Sequence, residues 1–332
     1  MTRVLVTGGG GSIGVHVVAD LLANTDWDVT VLVRSDDETS TSWRRLLQMQ
    51  TTMPEHRTFI TVAHDLMQPI GVETWEEIGS VDVLINLAAS TDVRASVVDP
   101  ERPVLNNITA ALHVLEFARQ LGGDLQVLVH VSSDEVYGPA GRGGGHAEGE
   151  PHRPHNPYAA SKAAIEDLCR AWWRCFDLPV VIVNTMNNFG PMQASYKLPV
   201  LIQKWVQAGE TVRLQNAGVR RWIHSAATAD AIRYIVEKLT PCRHVPGQID
   251  DLDQYNVCGD RAIQNTELAG MIAGLLAPSV SIELASPHVD PDQVFSLTPS
   301  RIHDAGWVNP MPLAAGLADM VSWQAAHPEW LE

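Results

Sequence analysis

A chain of 332 residues, 45% of them apolar, is long enough to bury a large core and to hold about two domains, which excludes a disordered segment. Its formal net charge of −16 excludes the basic face that nucleic-acid binding requires, so any anionic ligand must meet a local cluster of cations. No apolar run of spanning length and no signal-peptide pattern is present, and we read a cytoplasmic protein with no membrane partner. Cys169, Cys175, Cys242 and Cys258 and the thirteen histidines show no metal-ligand spacing; the cysteines read as free thiols and no metal is expected.

In chain order, Arg3 to Thr7 reads as a first strand, followed by Gly8-Gly-Gly-Gly11-Ser12-Ile13-Gly14 and an apolar-periodic helix from Val15 to Ala23. Glycines at 8, 11 and 14 permit a tight turn, close approach of backbone to a pyrophosphate and close helix packing. A glycine run alone is weak; between a strand and a helix it becomes strong. Further strands are expected at 28–33, 58–63, 81–87, 125–131 and 179–184, with helices between most of them. That alternation implies an α/β protein with a doubly wound, right-handed parallel sheet of Rossmann type. Ser35 to Glu55 is polar around a helix at Trp43-Arg-Arg-Leu-Leu. The stretch from Gly138 to Pro157 is rich in Gly, Pro and His, and is either a lid or a spacer; His146, His152 and His155 in it read as solvated. Trp43, Trp172, Trp173 and Trp205 read as core or interface rather than stacking platforms. The alternation fades beyond about residue 190. We therefore expect a cofactor domain over 1–190, a smaller α/β substrate domain over 191–332, and parts of 220–258 returning to the first sheet.

The segment Ser132-Ser133-Asp134-Glu135-Val136-Tyr137-Gly138 and the helix start Tyr158-Ala-Ala-Ser-Lys162 carry the chemistry. Ser133, Asp134 and Glu135 fall at the carboxyl end of a buried strand, where open α/β sheets place ligands. Residues four apart on a helix share a face, so the Lys162 ammonium can lower the pKa of the Tyr158 phenol. A tyrosinate takes a proton from a hydroxyl while a nicotinamide takes the hydride. The bland alternative makes Asp134 and Glu135 helix or loop caps.

These residues resemble the extended short-chain dehydrogenase/reductases, and among them the dTDP-glucose 4,6-dehydratases. The likeness runs essentially end to end and extends to Asn86-Leu-Ala-Ala89, the Asn107 helix, Asn187-Asn188-Phe-Gly-Pro191, Lys197-Leu198-Pro, Arg220-Arg-Trp222 and the tail from Trp323 to Trp330. The acidic pair Asp134-Glu135 is its most specific item, because related epimerases usually lack it. The resemblance implies a nucleotide-sugar 4,6-dehydratase. Tyr158, with Lys162 and Ser133, would deprotonate the carbon 4 hydroxyl as NAD takes the hydride. Glu135 would remove the carbon 5 proton, and Asp134 would protonate the departing carbon 6 hydroxyl. Adjacent carboxyls suit opposite protonation states. A 4-epimerase or decarboxylase of the same superfamily is the alternative, and a non-catalytic nucleotide-sugar-binding protein a third.

The resemblance further implies cofactor contacts from Gly8, Gly11, Ser12, Ile13, Gly14, Asp65, Leu66, Ala88, Tyr158 and Lys162. Arg34 stands where the family carries an acid for the ribose; it could accept the 2′-phosphate of NADP or pair with Asp36 or Asp37, and NAD is the preferred reading. Asn188, Lys197 and Arg220 match diphosphate contacts, with Asn187 and Leu198 in the same motifs and Arg221 as a second guanidinium. Two segments depart from the family: Ser90-Thr-Asp92-Val-Arg94-Ala-Ser96 near the sugar, and the acidic His288 to Phe295 in place of an Arg-rich stretch. Both point to a different base or substrate. The helices from Asn107 to Arg119 and from Tyr158 to Cys175 correspond to a superfamily dimer interface, so a homodimer is expected; burial against their own sheet is the alternative.

Overall fold

The computed structural model describes residues 1–331 apart from 36, 38, 142–143, 216, 240, 242–251, 277–279 and 285–293. The first half alternates as the sequence predicts: β1 (Arg3–Thr7), α1 (Gly14–Asn24), β2 (Asp28–Val33), α2 (Thr41–Gln50), β3 (Ile60–Ala63), α3 (Val72–Ile78) and β4 (Val83–Asn86). Then follow α4 (Val93–Val98), α5 (Glu101–Leu121), β5 (Val127–Ser133), α6 (Pro157–Phe176), β6 (Val180–Thr185), β7 (Asn187–Phe189), α7 (Leu198–Gln207), β8 (Val212–Leu214), β9 (Val219–His224) and α8 (Ser225–Lys238). Last come β10 (Asp253–Val257), β11 (Ala262–Gln264), α9 (Asn265–Leu276), β12 (Ile282–Leu284), β13 (Val294–Phe295), α10 (Ser300–Asp304) and α11 (Leu313–Ala326).

Seven strands form one sheet in the order β10-β6-β5-β4-β1-β2-β3, and every pair in it is parallel. Strands covered on both faces read as continuous apolar runs, and β4, β5 and β6 are buried at every residue. One core lies where α1 and α8 cover one face, through Val15, Val18, Leu22, Ile232 and Ile235. The other lies under α5 and α6, through Val114, Phe117, Ile165 and Trp173. β10 joins this sheet beside β6, and α8 packs on α1.

The smaller lobe is built on β9, which pairs with β7, β11 and β13, with β8 and β12 as a separate parallel pair. Its core joins α7, α9 and α11 through Ile202, Leu268, Ile272, Leu317 and Met320. Two buried contacts lock it to the start of the chain. Arg45 of α2 donates through Nε to the Met192 carbonyl at 2.8 Å and through NH1 to the Gly10 carbonyl at 3.3 Å, and His16 of α1 lies 3.2 Å from the Pro191 carbonyl.

The stretch from Gly138 to Pro157 is neither spacer nor free flap among its described residues. Ala140 N donates to the Val294 carbonyl (2.7 Å), His146 N to Ser296 O (2.9 Å) and Thr298 N to His146 O (2.9 Å), while Arg153 N returns to Val136 O (2.9 Å). The expectation of solvated histidines therefore holds for His155 alone. His146 stacks on Tyr137 at 5.3 Å between centroids, and the His152 ring reaches a buried carboxylate, Glu166, at 3.0 Å.

The backbone constraint that bears on the site is at the first turn. Gly8 has φ +68° and a Cβ there would lie 2.7 Å from Ala88 N; a Cβ on Gly14 would lie 2.1 Å from the Gly8 carbonyl oxygen. Both neighbours are backbone and cannot swing away. A Gly14→Ala variant is expected to lose about 3 kcal/mol of stability and to bind dinucleotide weakly, as thermal unfolding and calorimetric titration with NAD would measure.

Candidate active site

The carboxyl ends of β1, β4, β5 and β6 face the smaller lobe across a cleft of about 940 Å³, the place where an open parallel sheet presents its loops. From the first lobe it is lined by the glycine turn, by Val131 to Glu135, and by Tyr158 and Lys162; from the second by Asn187, Asn188, Lys197, Leu198, Arg220 and Trp222.

Local signals put the catalytic candidates there. Asn156 caps α6, its Oδ1 accepting from Ala159 N at 2.8 Å, and Pro157 occupies the first turn where no donor is needed. Tyr158, Lys162 and Glu166 then succeed one another at four-residue spacing on the buried face. Ser133 ends β5 and caps the short turn Asp134–Tyr137, accepting from Glu135 N at 3.3 Å, so the cap is Ser133 and not the acidic pair. Its hydroxyl also donates to Asp134 Oδ1 at 3.2 Å.

Three charges in this cluster are displaced from their ordinary ranges. Burial, reinforced by the neighbouring Glu135 carboxylate and opposed by Arg220, pushes Asp134 up to about 7. Burial brings the Lys162 ammonium down to about 8, with Glu166 opposing the shift. Burial and the Glu135 charge push the Tyr158 phenol up, the Ser133 hydrogen bond working the other way. This last direction corrects the expectation that Lys162 lowers the phenol. The lysine Nζ donates to the Val131 carbonyl at 2.7 Å, while carboxylates stand near the phenol. Glu135 is partly exposed, and Asn156 Nδ2 donates to its Oε2 at 2.6 Å. The pair thus has one carboxyl poised to carry a proton and a neighbour oriented by an amide donor.

The glycine turn fits a dinucleotide. Gly8, Gly11, Ser12, Ile13 and Gly14 line the cleft at the start of α1, and the space that Cβ atoms on Gly8 and Gly14 would fill is closed by backbone. Arg34, Asp65, Leu66 and Ala88 do not line the cleft. Arg34 is exposed just past β2. Asp37 accepts from Thr39 N at 2.9 Å and Oγ1 at 2.6 Å rather than meeting it, and Asp36 lies outside the described residues. Asp65 accepts from Met67 N at 3.0 Å as a turn former. Leu66 is buried with its carbonyl 2.8 Å from His113 Nδ1, and Ala88 N backs the Gly8 turn.

On the substrate side, Arg94, Lys197, Leu198 and Arg220 line the cleft. Ser90 is held back, its backbone paired to Asn107 at 2.7 and 3.1 Å. Asp92 lines the cleft, yet its side chain caps α4 by accepting from Ala95 N at 3.0 Å. Asn187 faces the cleft, and Asn188 spends its side-chain groups on Thr185, Met186 and Thr228. Arg221 is corrected: successive residues of a strand point to opposite faces, and it binds Ser296 Oγ at 3.1 Å and Gly259 O at 3.0 Å behind the cleft. Trp205, read as core or interface, packs against the core of the smaller lobe and also lines the cleft. Arg213, Gln215, Gln193 and Tyr196 also line it and were not anticipated; Arg213 lies on β8 and Gln215 just beyond its end. Of the acidic segment from His288 to Phe295, residues 288–293 lie outside the described residues, and Phe295 lies beneath the Arg220 guanidinium at 4.2 Å.

A family model described as GDP-mannose 4,6 dehydratase matches residues 5–273. The chain belongs to that family. Within the extended short-chain dehydrogenase/reductases it is most like the dTDP-glucose 4,6-dehydratases. It is 28% identical to the dTDP-glucose 4,6-dehydratase of Xanthomonas campestris pv. campestris, over 100% of this chain and 95% of the relative. It is 31% identical to the low-salt glycan biosynthesis protein Agl12 of Haloferax volcanii, over 98% and 99%. Among solved structures, the dTDP-glucose 4,6-dehydratase DesIV of Streptomyces venezuelae with NAD bound superposes with a TM-score of 0.82 at 28% identity, covering 100% and 99% of the two chains. A UDP-glucose 4-epimerase of Thermus thermophilus in complex with NAD gives 0.80 at 25% identity, covering 97% and 98%.

In this member of the GDP-mannose 4,6-dehydratase family the raised pKa of Asp134 has a stability consequence. Between the ordinary carboxylate range, 3.8, and about 7, the unfolded chain releases a proton that the folded protein keeps. Stability is therefore full below this window and lost as pH rises through it. Asp134→Asn removes that loss, so the variant should be stabilised by about 2 kcal/mol more at pH 8 than at pH 5, measured by urea unfolding at both pH values.

Proposed function

We propose that the chain is an NAD-dependent nucleotide-sugar 4,6-dehydratase, a lyase. The observation that carries the reading is the pair at the end of β5: Asp134, buried and shifted to about 7, beside the amide-oriented Glu135, with Tyr158 and Lys162 lining the same cleft. Held by the glycine turn, NAD supplies the hydride acceptor for carbon 4, the donor for carbon 6, and a positive charge in its oxidised form.

The chain's own groups account for the proton movements. Tyr158 acts as the phenolate, which the Lys162 ammonium and the positive charge of bound oxidised NAD would favour in the same cleft; it takes the proton of the carbon 4 hydroxyl, and that proton passes on to Asp134 before the next turnover. The ketone formed at carbon 4 acidifies the hydrogen on carbon 5, which Glu135 removes. Asp134 gives its proton to the carbon 6 hydroxyl, which departs as water. A proton shift of this kind by a positioned group is worth about 10²–10⁴-fold in rate. Glu135 returns its proton to carbon 5, and the product is a 4-keto-6-deoxy sugar. Arg94, Lys197, Arg213 and Arg220 bring four cations to the cleft wall of a chain of net charge −16, which suits a diphosphate.

A 4-epimerase is the second reading, favoured by the epimerase likeness at similar TM-score. It needs Ser133, Tyr158 and Lys162 but leaves Asp134 and Glu135 without a task. We also propose that residues 1–190 with β10 and α8 hold the cofactor and most of the remainder holds the nucleotide, and that the protein is a cytoplasmic homodimer through α5 and α6, where Leu105 and Phe176 are exposed. Among the described residues no helix is long and apolar enough to cross a membrane.

Mass spectrometry of products from dTDP-, UDP-, GDP- and CDP-hexoses should show loss of one water from at least one; an isomer of unchanged mass would mean an epimerase. With that substrate, Tyr158→Phe should abolish cofactor reduction seen at 340 nm, cutting kcat by about 10³-fold. Glu135→Gln should still give the reduced cofactor in a single turnover yet release no water. Full dehydration by Glu135→Gln would show that another group is the base.

A further inference from the structure

Behind the cleft lies a charge that the reaction does not use. Glu166, one helical turn beyond Lys162, has no exposed surface. Its Oε1 accepts from Ser132 Oγ of β5 at 2.6 Å and from Asn184 Nδ2 of β6 at 2.6 Å. Its Oε2 accepts from Gln254 Nε2 of β10 at 3.1 Å and meets His152 Nε2 at 3.0 Å and Arg170 NH1 at 3.5 Å. Five groups from three strands, α6 and the stretch after Gly138 thus converge on one carboxylate. Two of them are tied to the reacting residues. Ser132 precedes Ser133, and Asn184 also donates to the Ser133 carbonyl at 3.2 Å.

We propose that Glu166 is a positioning residue for the dehydratase reaction: buried and ringed by donors, it fixes the helix bearing Tyr158 and Lys162 against the end of the strand bearing Ser133, Asp134 and Glu135. The geometry leaves little alternative. Tyr158 and Lys162 reach the cleft from α6, the acids reach it from β5, and Glu166 is where the two elements are joined by charge-assisted hydrogen bonds, the stronger kind. The donors around Glu166, His152 foremost, hold it below the usual carboxylate range despite its burial. The charged and titratable groups facing it are His152 from the strap, Lys162, Cys169 and Arg170 on α6, and, through Gln254, Tyr137. Lys162 in turn is faced by Glu166, Cys169 and His130 of β5.

This inference rests on the roles proposed for Tyr158 and Lys162, and its test separates the two. Glu166→Gln keeps the shape and removes the charge. It should lower kcat about 10–100-fold, the cost of a misplaced reacting group, with KM for the nucleotide sugar within about threefold. The alkaline limb of the kcat profile should move to lower pH. The same shift should be read without turnover from the 13Cε NMR signal of Lys162, assigned by its disappearance in Lys162→Arg. Wild-type kcat with an unmoved lysine titration would overturn the proposal. A protein inactive on every nucleotide sugar, whose lysine nevertheless shifts, would overturn the functional reading and leave the ionic coupling standing. Should Glu166→Gln not fold, His152→Gln decides: with one donor lost the carboxylate gains a proton more readily, so the acid limb should move to higher pH. An acid limb identical to wild type would sink the idea.

Discussion

Burying one ionised carboxylate against three adjacent parallel strands is the constraint on which the rest of the site depends. Removing such a charge from water costs several kcal/mol even after relaxation, and Glu166 is tolerable only because its oxygens are met by a ring of donors. Each donor comes from a different element, so the ring is satisfied only when β5, β6, β10, α6 and the strap are all in place. Networks of this kind favour one arrangement over near alternatives because a half-satisfied version is worse than none. The precision asked of Ser133, Asp134, Tyr158 and Lys162 is inherited from that requirement.

Much of this was legible in the sequence. Five strands of the main sheet, β1, β2, β4, β5 and β6, announce themselves because burial leaves Val-, Leu- and Ile-rich runs, and the glycine turn because only glycine fits against Ala88 N and the Gly8 carbonyl. The pairing of the β5 end with α6 followed from the rule that parallel sheets gather their chemistry at one edge. What stayed hidden depends on contacts between distant segments. Trp205 and Arg213 reach the cleft from the smaller lobe, and Arg45 joins residues 10 and 192. The histidines of the strap look solvated in a Gly- and Pro-rich context, yet His146 and His152 find partners more than a hundred residues away or on the far side of α6. Two misses were avoidable. Strand alternation separates Arg221 from Arg220, and the four-residue spacing that pairs Tyr158 with Lys162 continues to Glu166.

Several residues that match binding motifs are occupied by the fold itself. Asn188 is committed to Thr185, Met186 and Thr228, and Asp92 to a helix start. They shape the wall by holding backbone, so a motif match at such a position reports architecture as much as contact. Arg220 is both held by the fold, its Nη1 donating to Val219 O at 2.9 Å, and present in the cleft wall. It faces the cleft with an aromatic ring beneath it, a support that holds a guanidinium plane without neutralising it.

The strap from Gly138 to Pro157 also bears on the order in which the molecule forms. Its backbone partners are Val294, Ser296 and Thr298, about 150 positions further along, and its His146 carbonyl is also bound by Asn256 at 3.0 Å. Such long loop closures are slow to form, because chain entropy is spent before any contact is gained. During synthesis the first six strands and both glycine-turn and acidic segments emerge well before the residues that fasten this strap. A nascent chain can therefore carry the glycine turn and the acidic segment before residues 294–298, which fasten this strap, have been made.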